Sequence, residues 1–288
     1  MDDRQDWQAV VFAGGGCRCF WQLGFWQTAA PVLELRPRVV GAVSAGAAMA
    51  CTVLADRIEA VVEDFKVRVT HNRRNIYPGN LLRGQPLCPH EAMYRAAILA
   101  ALDEEALAGL HAGPEVRVLL TCPPRFWLPG PMAGWASLGL GFVAYLTDVV
   151  SGNRIHARWG RRVGFRPQIV SIRDCRTPEE LADLILQSSC TPPALPLYCR
   201  DGHPVLDGGI VDNTPVEAVE TRETRGSTLV LLTRHYPPER LPRIPGRTYV
   251  APSEPIKVSV WDYTSPDKVQ RTYDLGRRDG ERFARATP

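Results

Sequence analysis

The hydrophobic pattern of the first 60 residues alternates between short apolar runs and longer apolar-rich segments. The short runs, residues 7–12 and 39–43, have the length of buried strands. Residues 20–30 and 45–54 continue without a breaker for long enough to form helices. Strand, loop, helix, strand, sharp turn and helix therefore follow one another. This βαβα order predicts an α/β fold with mostly parallel strands.

The rest of the chain carries weaker patterns of the same two kinds. Strands are predicted at residues 116–120, 168–172, 205–206 and 228–233. Helices are predicted at residues 89–110 (one helix or a pair), 177–189 and 267–285. The helix at 177 has a strong start signal, with Thr177 as N-cap, Pro178 in the first turn and Glu180 in the capping-box position. Because no repeat, linker or composition shift interrupts the chain, we expect one domain over residues 1–288.

One segment, residues 126–147, contains no charged residue and several aromatic residues. Its length would suit a transmembrane helix, but Pro129, Pro131 and several glycines argue against one. We expect an insertion over residues 126–165 that packs on the core. A lid over the site, or a segment that contacts a membrane, is the alternative.

The charge balance limits the classes of partner. The 288 residues carry a formal net charge of +3, with 23% charged and 45% hydrophobic side chains, as expected for a globular protein. So low a net charge argues against a nucleic-acid partner, which requires a concentrated basic face. We interpret three arginine pairs as solvated surface, with a site for anionic lipid headgroups as the alternative. The pairs are Arg73-Arg74, Arg161-Arg162 and Arg277-Arg278.

The first residues bear on the cellular compartment of the protein, and the cysteines bear on metal binding. The acidic first residues lack the pattern of a secretory signal, which favours the cytoplasm, with peripheral membrane contact as an addition. The eight cysteines show neither Cys-x-x-Cys pairs nor metal-type spacing. We therefore interpret them as free, mostly buried thiols and expect no metal site.

Residues 41–46, Gly-Ala-Val-Ser-Ala-Gly, are the first candidate for chemistry. We interpret them as a Gly-x-Ser-x-Gly type of turn between a strand and a helix, which presents Ser44 as a nucleophile. Gly41 and Gly46 would relieve crowding at such a turn. The helix that follows directs the positive end of its dipole toward the serine.

A second glycine cluster, Gly14-Gly15-Gly16, follows the first predicted strand. Backbone amides in such a loop can face an oxyanion because no side chains intervene. A serine nucleophile and an oxyanion loop are the minimum equipment for acyl transfer through a serine ester. The functional interpretation therefore requires that the two segments meet in space.

Two arrangements would supply a base for Ser44. Asp207 ends a short predicted strand before Gly208 and Gly209, so its carboxylate can turn toward the edge of the sheet. An ordinary Asp-Gly turn is the alternative interpretation of these residues. A Ser…Asp…His order of the α/β-hydrolase kind would instead combine Ser44, Asp207 and His235. None of the six histidines lies in a segment that marks it as catalytic.

Three motifs in order resemble those of the patatin-like phospholipase family. They are Gly14-Gly15-Gly16-Cys17-Arg18, residues 41–46 and Asp207-Gly208-Gly209. The stretch at residues 188–193 resembles the family's Ser/Ala-rich segment before paired prolines. Residues 207–215 resemble its Asp-Gly-Gly…Asn-x-Pro block. The resemblance covers about residues 8–220, which is most of the chain.

This resemblance implies a three-layer α/β/α fold with a mainly parallel central sheet. It also implies a lipid acyl hydrolase that uses a Ser–Asp dyad, with Ser44 as nucleophile and Asp207 as base, on a lipid or phospholipid substrate. No metal or organic cofactor would be needed. The resemblance implies an oxyanion hole at Gly14, Gly15 and Gly16 steadied by Arg18, with Gly41, Gly46, Gly208 and Gly209 as supporting residues.

One departure from the family pattern concerns the oxyanion loop. Cys19 occupies a position where family members usually carry glycine, and bulky Phe20 and Trp21 follow it. The resemblance therefore implies a more rigid loop or a narrower acyl pocket than in a typical relative.

Three functional hypotheses remain open from the sequence. The first is a serine acyl hydrolase of the phospholipase A or lysophospholipase type. The second is a Ser–His–Asp esterase that acts on small soluble esters through His235. The third is a conditionally active effector that docks on a membrane through residues 126–147.

Overall fold

The computed structural model describes residues 6–124, 155–157, 159–192, 195–220 and 227–287, and the single positions 136, 139, 140, 143 and 147. Within this part of the chain, eight strands form one sheet. The strands are β1 Ala9–Phe12, β2 Val39–Val43, β3 Glu115–Cys122, β4 Arg166–Ser171, β5 Tyr198–Arg200, β6 His203–Asp207, β7 Thr228–Leu231 and β8 Arg247–Val250. The helices are α1 Phe20–Val32, α2 Ala45–Leu54, α3 Ile58–His71, α4 His90–Ala101, α5 Glu104–Ala112, α6 Trp159–Arg162, α7 Pro178–Ser188 and α8 Pro266–Ala286.

The sheet is mixed, with a parallel centre and an antiparallel margin. Strands β3, β2, β1, β7 and β8 pair in parallel in that order, whereas β4, β5 and β6 join by antiparallel pairing. Helices flank this sheet, which confirms the predicted α/β/α architecture. The predicted bounds of β2 and α2 agree with the structure at both ends.

The core lies on both faces of the sheet because side chains alternate along each strand. In β1, Val10 and Phe12 pack into the larger core that contains α1, α2 and α7, whereas Ala9 and Val11 face a smaller cluster on the other side. All four are fully buried. The central strands are apolar on both faces, as parallel strands covered on both sides require.

Helices α1 and α8 cross in close contact across the large core. A Cβ atom on Gly276 would lie 2.1 Å from the Trp21 carbonyl oxygen, and one on Gly24 would lie 2.0 Å from the Tyr273 carbonyl oxygen. The indole of Trp21 donates a hydrogen bond to Asp279 Oδ2 at 2.8 Å. Glycine at the crossing thus lets the two backbones approach and fixes the C-terminal helix on the domain.

The sequence pattern located most elements and missed some. The segment at residues 89–110 is a pair of helices, α4 and α5, and the Thr177 hydroxyl accepts the Glu180 amide as its N-cap. The helix predicted to end at Ala30 continues to Val32 with Pro31 inside it. Helices α3 and α6 and strands β5 and β8 were not predicted.

The prediction for residues 126–147 falls almost wholly outside the described residues. Its alternatives, an insertion, a lid or a membrane-contacting segment, therefore stay predictions. Among the described residues, no helix combines the length and apolar character needed to span a bilayer.

Candidate active site

Ser44 lies on a sharp turn between β2 and α2. Its backbone φ is +54°, a left-handed value that L residues rarely adopt and that costs on the order of 1–3 kcal/mol. Gly46 allows this turn because a Cβ there would lie 2.6 Å from the carbonyl oxygens of Phe12 and Ala13. The turn therefore brings the start of α2 against the end of β1, with the serine at its tip.

The glycines around Ser44 do not have the strict Gly-x-Ser-x-Gly spacing that the sequence analysis assigned to them. Gly41 lies three residues before Ser44, so Ala42 occupies the position that a strict Gly-x-Ser-x-Gly motif gives to glycine. Gly41 has a different role, since a Cβ there would lie 2.8 Å from Val219 Cγ1 and 3.1 Å from the Pro215 carbonyl oxygen. It lets β2 pack closely against the turn that follows the Asp207 segment.

The register of β3 brings Ser44 and Asp207 together. Strand β4 occupies one edge of β3 along residues 117–122, so β2 and β6 share the other edge. Strand β2 ends opposite Leu119, and Asp207 pairs with Leu120, the next residue of β3. The Ser44 hydroxyl donates a hydrogen bond to Asp207 Oδ2 at 2.7 Å.

Asp207 is held by its own backbone neighbours. The Gly209 amide donates to Asp207 Oδ1 at 2.7 Å, and the Asp207 amide donates to the Cys190 carbonyl at 2.9 Å. Gly208 approaches β3 so closely that a Cβ would lie 2.2 Å from the Leu119 carbonyl oxygen. These contacts leave Oδ2 directed at the serine.

Burial changes the acidity of this carboxyl group. Removal from water raises the pKa of Asp207 to about 6, although the hydrogen bonds from Ser44 and the Gly209 amide act in the opposite direction. A carboxylate with this pKa is still ionised at neutral pH but is a stronger base than an exposed aspartate. That is the property needed to take a proton from a serine hydroxyl.

The Gly14-Gly15-Gly16 loop lies beside Ser44. A Cβ on Gly14 would lie 3.3 Å from Ser44 Cβ, and the Gly14 amide donates to the Asn213 carbonyl at 3.1 Å. The amides of Gly15 and Gly16 have no hydrogen-bond partner among the described residues. Both glycines line the same cavity as Ser44, so these two amides are the ones available to an oxyanion.

Three contacts anchor this loop from behind. The Gly14 carbonyl accepts hydrogen bonds from Asn213 Nδ2, at 3.0 Å, and from the Thr233 hydroxyl. Arg18 does not line the cavity, and its Nε donates to the Val258 carbonyl at 3.3 Å. Gly16 has a φ of +54°, and a Cβ there would lie 2.3 Å from the Val260 carbonyl oxygen. The loop is thus shaped by residues distant in sequence.

Ser188, the last residue of α7, is a site residue to which the sequence assigned no role. Its hydroxyl accepts the Ser44 amide at 2.8 Å and donates to the Leu119 carbonyl at 2.7 Å. The side chain is fully buried and bridges the turn to β3. The only sequence signal was its place in the Ser-rich stretch before Pro192.

A cavity of about 540 Å³ is lined by Ser44, Asp207 and the glycine loop. It continues between three helices, and most of its wall is apolar. Apolar wall residues include Ala45, Ala48 and Met49 of α2, Val61 and Phe65 of α3, and Tyr94, Ile98 and Ala101 of α4. At about 1.5 Å per helical residue, the wall from Ser44 to Thr52 is about 12 Å long, enough for a flexible hydrocarbon chain.

The bulky residues after Arg18 contribute to this cavity unequally. Phe20 lines it and packs on Phe65 with ring centroids 4.9 Å apart, whereas Trp21 does not line it. Cys19 is fully buried, and its thiol contacts the Ala13 carbonyl at 3.6 Å. Of these three residues, Phe20 alone therefore contributes to the cavity wall.

The histidines make their contacts away from Ser44 and Asp207; His90, which lines the same cavity, contacts the Trp261 carbonyl oxygen at 3.0 Å. Nδ1 of His235 contacts the Pro252 carbonyl oxygen at 2.8 Å, and His156 contacts Asp212 and Tyr249. All six histidines belong to the described part of the chain, and none there hydrogen-bonds Ser44 or Asp207. Within the same residues, no group of three or more His, Cys, Asp or Glu side chains is placed to hold a metal ion.

Comparison with known proteins gives a family match over this site. The family model for patatin-like phospholipases matches residues 10–219, which include the glycine loop, Ser44 and Asp207. The chain belongs to the patatin-like phospholipase family. Lipid acyl hydrolysis is the general activity of that family. No curated protein sequence matches the chain.

Among solved structures, this patatin-like chain is similar to VipD from Legionella pneumophila. The two are 11% identical in sequence, with a TM-score of 0.48. The match covers 98% of this chain and 67% of the VipD chain.

Proposed function

We propose that this protein is a serine hydrolase that cleaves carboxylic esters of lipids, of the phospholipase A or lysophospholipase type. The observation that carries the proposal is the 2.7 Å hydrogen bond from Ser44 Oγ to Asp207 Oδ2 in the wall of a largely apolar cavity. The family match supports the general class of activity. The dyad, the substrate class and the role of each residue belong to this proposal.

Acylation begins with a proton transfer. Asp207 Oδ2 takes the hydroxyl proton as Ser44 Oγ forms a bond to the ester carbonyl carbon, and the carbonyl oxygen becomes an oxyanion. The amides of Gly15 and Gly16 donate to that oxygen. The intermediate then expels the alcohol, which receives the proton from Asp207, and the acyl group stays on Ser44 as an ester.

Deacylation repeats the same steps with water as the nucleophile. Asp207, again ionised, takes a proton from a water molecule as its oxygen attacks the acyl carbonyl. The same two amides stabilise the second oxyanion. The intermediate expels Ser44 Oγ, which recovers the proton from Asp207, and a fatty acid leaves the cavity.

The shape of the cavity favours lipid over small soluble esters. A short ester would fill only the region around Ser44 and leave the apolar wall of α2, α3 and α4 in contact with water. Burial of a hydrocarbon chain contributes roughly 0.8 kcal/mol per methylene group. We therefore expect the rate per active site to rise with acyl-chain length until the cavity is filled.

The proposal is tested by ester hydrolysis with three variants. Ser44→Ala and Asp207→Asn are expected to abolish hydrolysis of a short acyl ester and of phospholipid vesicles, whereas His235→Ala is expected to retain both. A large loss in His235→Ala would support the Ser–His–Asp esterase instead. Absence of turnover on every substrate until a cell extract is added would support the conditionally active effector.

A further inference from the structure

The connection between α3 and α4, residues 72–88, forms one side of the cavity opening, and we call it the rim loop. It exposes two large aliphatic side chains, Ile76 at 53% and Leu82 at 94% of their surface. Trp261 faces solvent beside it at 38%. Ile76 and Trp261 also line the cavity, so these two exposed side chains are continuous with the wall of the candidate active site, whereas Leu82 lies outside the lining.

The rim loop is strongly basic. Arg73, Arg74 and Arg83 are exposed, and no acidic residue occurs between positions 72 and 90. None of the three arginines forms an ion pair with any residue that the structure describes. Beside Trp261, Asp262 is buried and paired with Lys268 at 3.0 Å. The outward-facing charge of the rim is therefore positive.

Hydrogen bonds hold this loop in place. Asn72 Nδ2 donates to the Tyr263 carbonyl at 2.8 Å, and Asn75 Oδ1 accepts the Tyr263 amide at 2.9 Å. The Tyr77 hydroxyl donates to Asn72 Oδ1, and its amide donates to the Leu87 carbonyl. The exposed aliphatic and basic side chains are thus presented on a fixed support.

We propose that the rim loop, together with Trp261, docks the protein on the surface of an anionic lipid bilayer. This inference rests on the proposed function, because it supplies the route by which a lipid passes from the membrane into the cavity. Arginines would contact headgroup phosphates while Leu82, Ile76 and Trp261 enter the boundary with the acyl chains. An acidic protein would satisfy the arginines but would give no reason for aliphatic side chains that lead into a lipid-sized cavity.

Binding is measured in the Ser44→Ala background so that catalysis does not enter the result. The assay is co-sedimentation with vesicles of phosphatidylcholine alone and of phosphatidylcholine with phosphatidylglycerol. One basic residue near an anionic leaflet strengthens binding about fivefold, so the double change Arg73→Gln and Arg74→Gln should weaken it about 25-fold. Leu82→Ser should weaken it about tenfold.

The chain offers a matched control for each change. Arg277→Gln with Arg278→Gln removes the same formal charge from an exposed arginine pair on α8, outside the cavity lining; Arg278 lies 3.7 Å from Glu254 in a solvent-exposed ion pair. Val32→Ser removes another exposed aliphatic side chain, at the end of α1. Both controls should bind anionic vesicles as the Ser44→Ala parent does. Circular dichroism and thermal melting of every variant check that the fold is kept.

Three results would overturn the docking proposal. They are equal binding to neutral and anionic vesicles, an equal loss in the rim and α8 arginine variants, and binding to immobilised polyglutamate without binding to vesicles. The last would assign the rim to an acidic protein.

A catalytic assay separates the two proposals. Vesicle binding without any ester hydrolysis by the wild type would keep docking and reject the hydrolase. Hydrolysis of short esters without vesicle binding would keep the hydrolase and reject docking.

Discussion

The Asp207→Asn substitution should affect activity and stability in opposite directions. Asparagine has nearly the same shape as aspartate, and its Oδ1 can still accept the Gly209 amide, but it carries no charge and cannot act as a base. Burial raises the pKa of Asp207 to about 6. The ionised carboxylate is therefore less stable in the folded protein than in water, even with both of its hydrogen bonds.

The size of the expected stability difference follows from the raised pKa of Asp207. An increase from the ordinary value of 3.8 to about 6 corresponds to at most about 3 kcal/mol of folding free energy. Because the folded pKa lies above the unfolded one, the stabilising contribution of the protonated group is complete below about pH 4 and is lost as the pH rises through about 6. Asp207→Asn should thus be more stable than wild type by about 2–3 kcal/mol at pH 8, with little difference near pH 4.

Urea denaturation of both proteins at several pH values between 4 and 8 measures this difference. Subtracting the two unfolding free energies cancels the titration of all other groups and leaves the contribution of Asp207. Ester hydrolysis of the same samples should be lost in Asp207→Asn. A variant less stable than wild type at pH 8, or a difference that does not change with pH, would show that the ionised Asp207 carboxylate does not destabilise the fold.

Three further predictions concern other parts of the site and the fold. Ser188→Ala leaves the Ser44 amide and the Leu119 carbonyl without their side-chain partner. It should lower kcat more than it raises KM and cost about 1–3 kcal/mol in urea unfolding; an unchanged kcat would contradict this role. Ala48→Phe places a bulky side chain in the cavity. It should abolish hydrolysis of long-chain esters while acetate esters are still cleaved. Equal losses on both substrates would mean that acyl chains do not lie along α2. Gly276→Ala should lower stability by more than about 2 kcal/mol in denaturation, because its Cβ meets the Trp21 carbonyl oxygen, whereas wild-type stability would show that the helices separate easily.

Ser44 and Asp207 could be singled out as candidates because each follows a short apolar strand and precedes small residues. Their contact was not predictable from these local patterns. It depends on which edge of β3 each strand occupies, and the two residues are 163 positions apart in sequence. The family resemblance supplied the pairing that the local patterns lacked.

The details of the Gly14-Gly15-Gly16 loop depend on long-range contacts. Three consecutive glycines look alike in sequence, but the Gly14 amide is used by the Asn213 carbonyl, 199 positions away, and the amides of Gly15 and Gly16 are left. The bridging role of Ser188 is hidden for the same reason. Its partners lie on β3 and on the turn after β2.

The sequence patterns failed to predict helix α3 and strand β8 for different reasons. Helix α3 carries Ile58, Val62, Phe65 and Val69 on its buried side, so a helical periodicity is present in its sequence. Strand β8 has only four residues, of which Tyr249 alone is buried. A strand that short is specified by its pairing with β7 and not by its own pattern.

In the proposed mechanism, Asp207 activates Ser44 without a histidine. The most direct test is the rate of Ser44 labelling by an alkyl fluorophosphonate, followed by intact mass, for wild type, Asp207→Asn and His235→Ala between pH 4 and 9. The wild type and His235→Ala should label at Ser44 with a rate that rises through an apparent pKa of about 6 and then levels off. Asp207→Asn should label far more slowly, without that rise. Rapid labelling of Asp207→Asn, or loss of labelling in His235→Ala, would contradict activation of Ser44 by Asp207 alone.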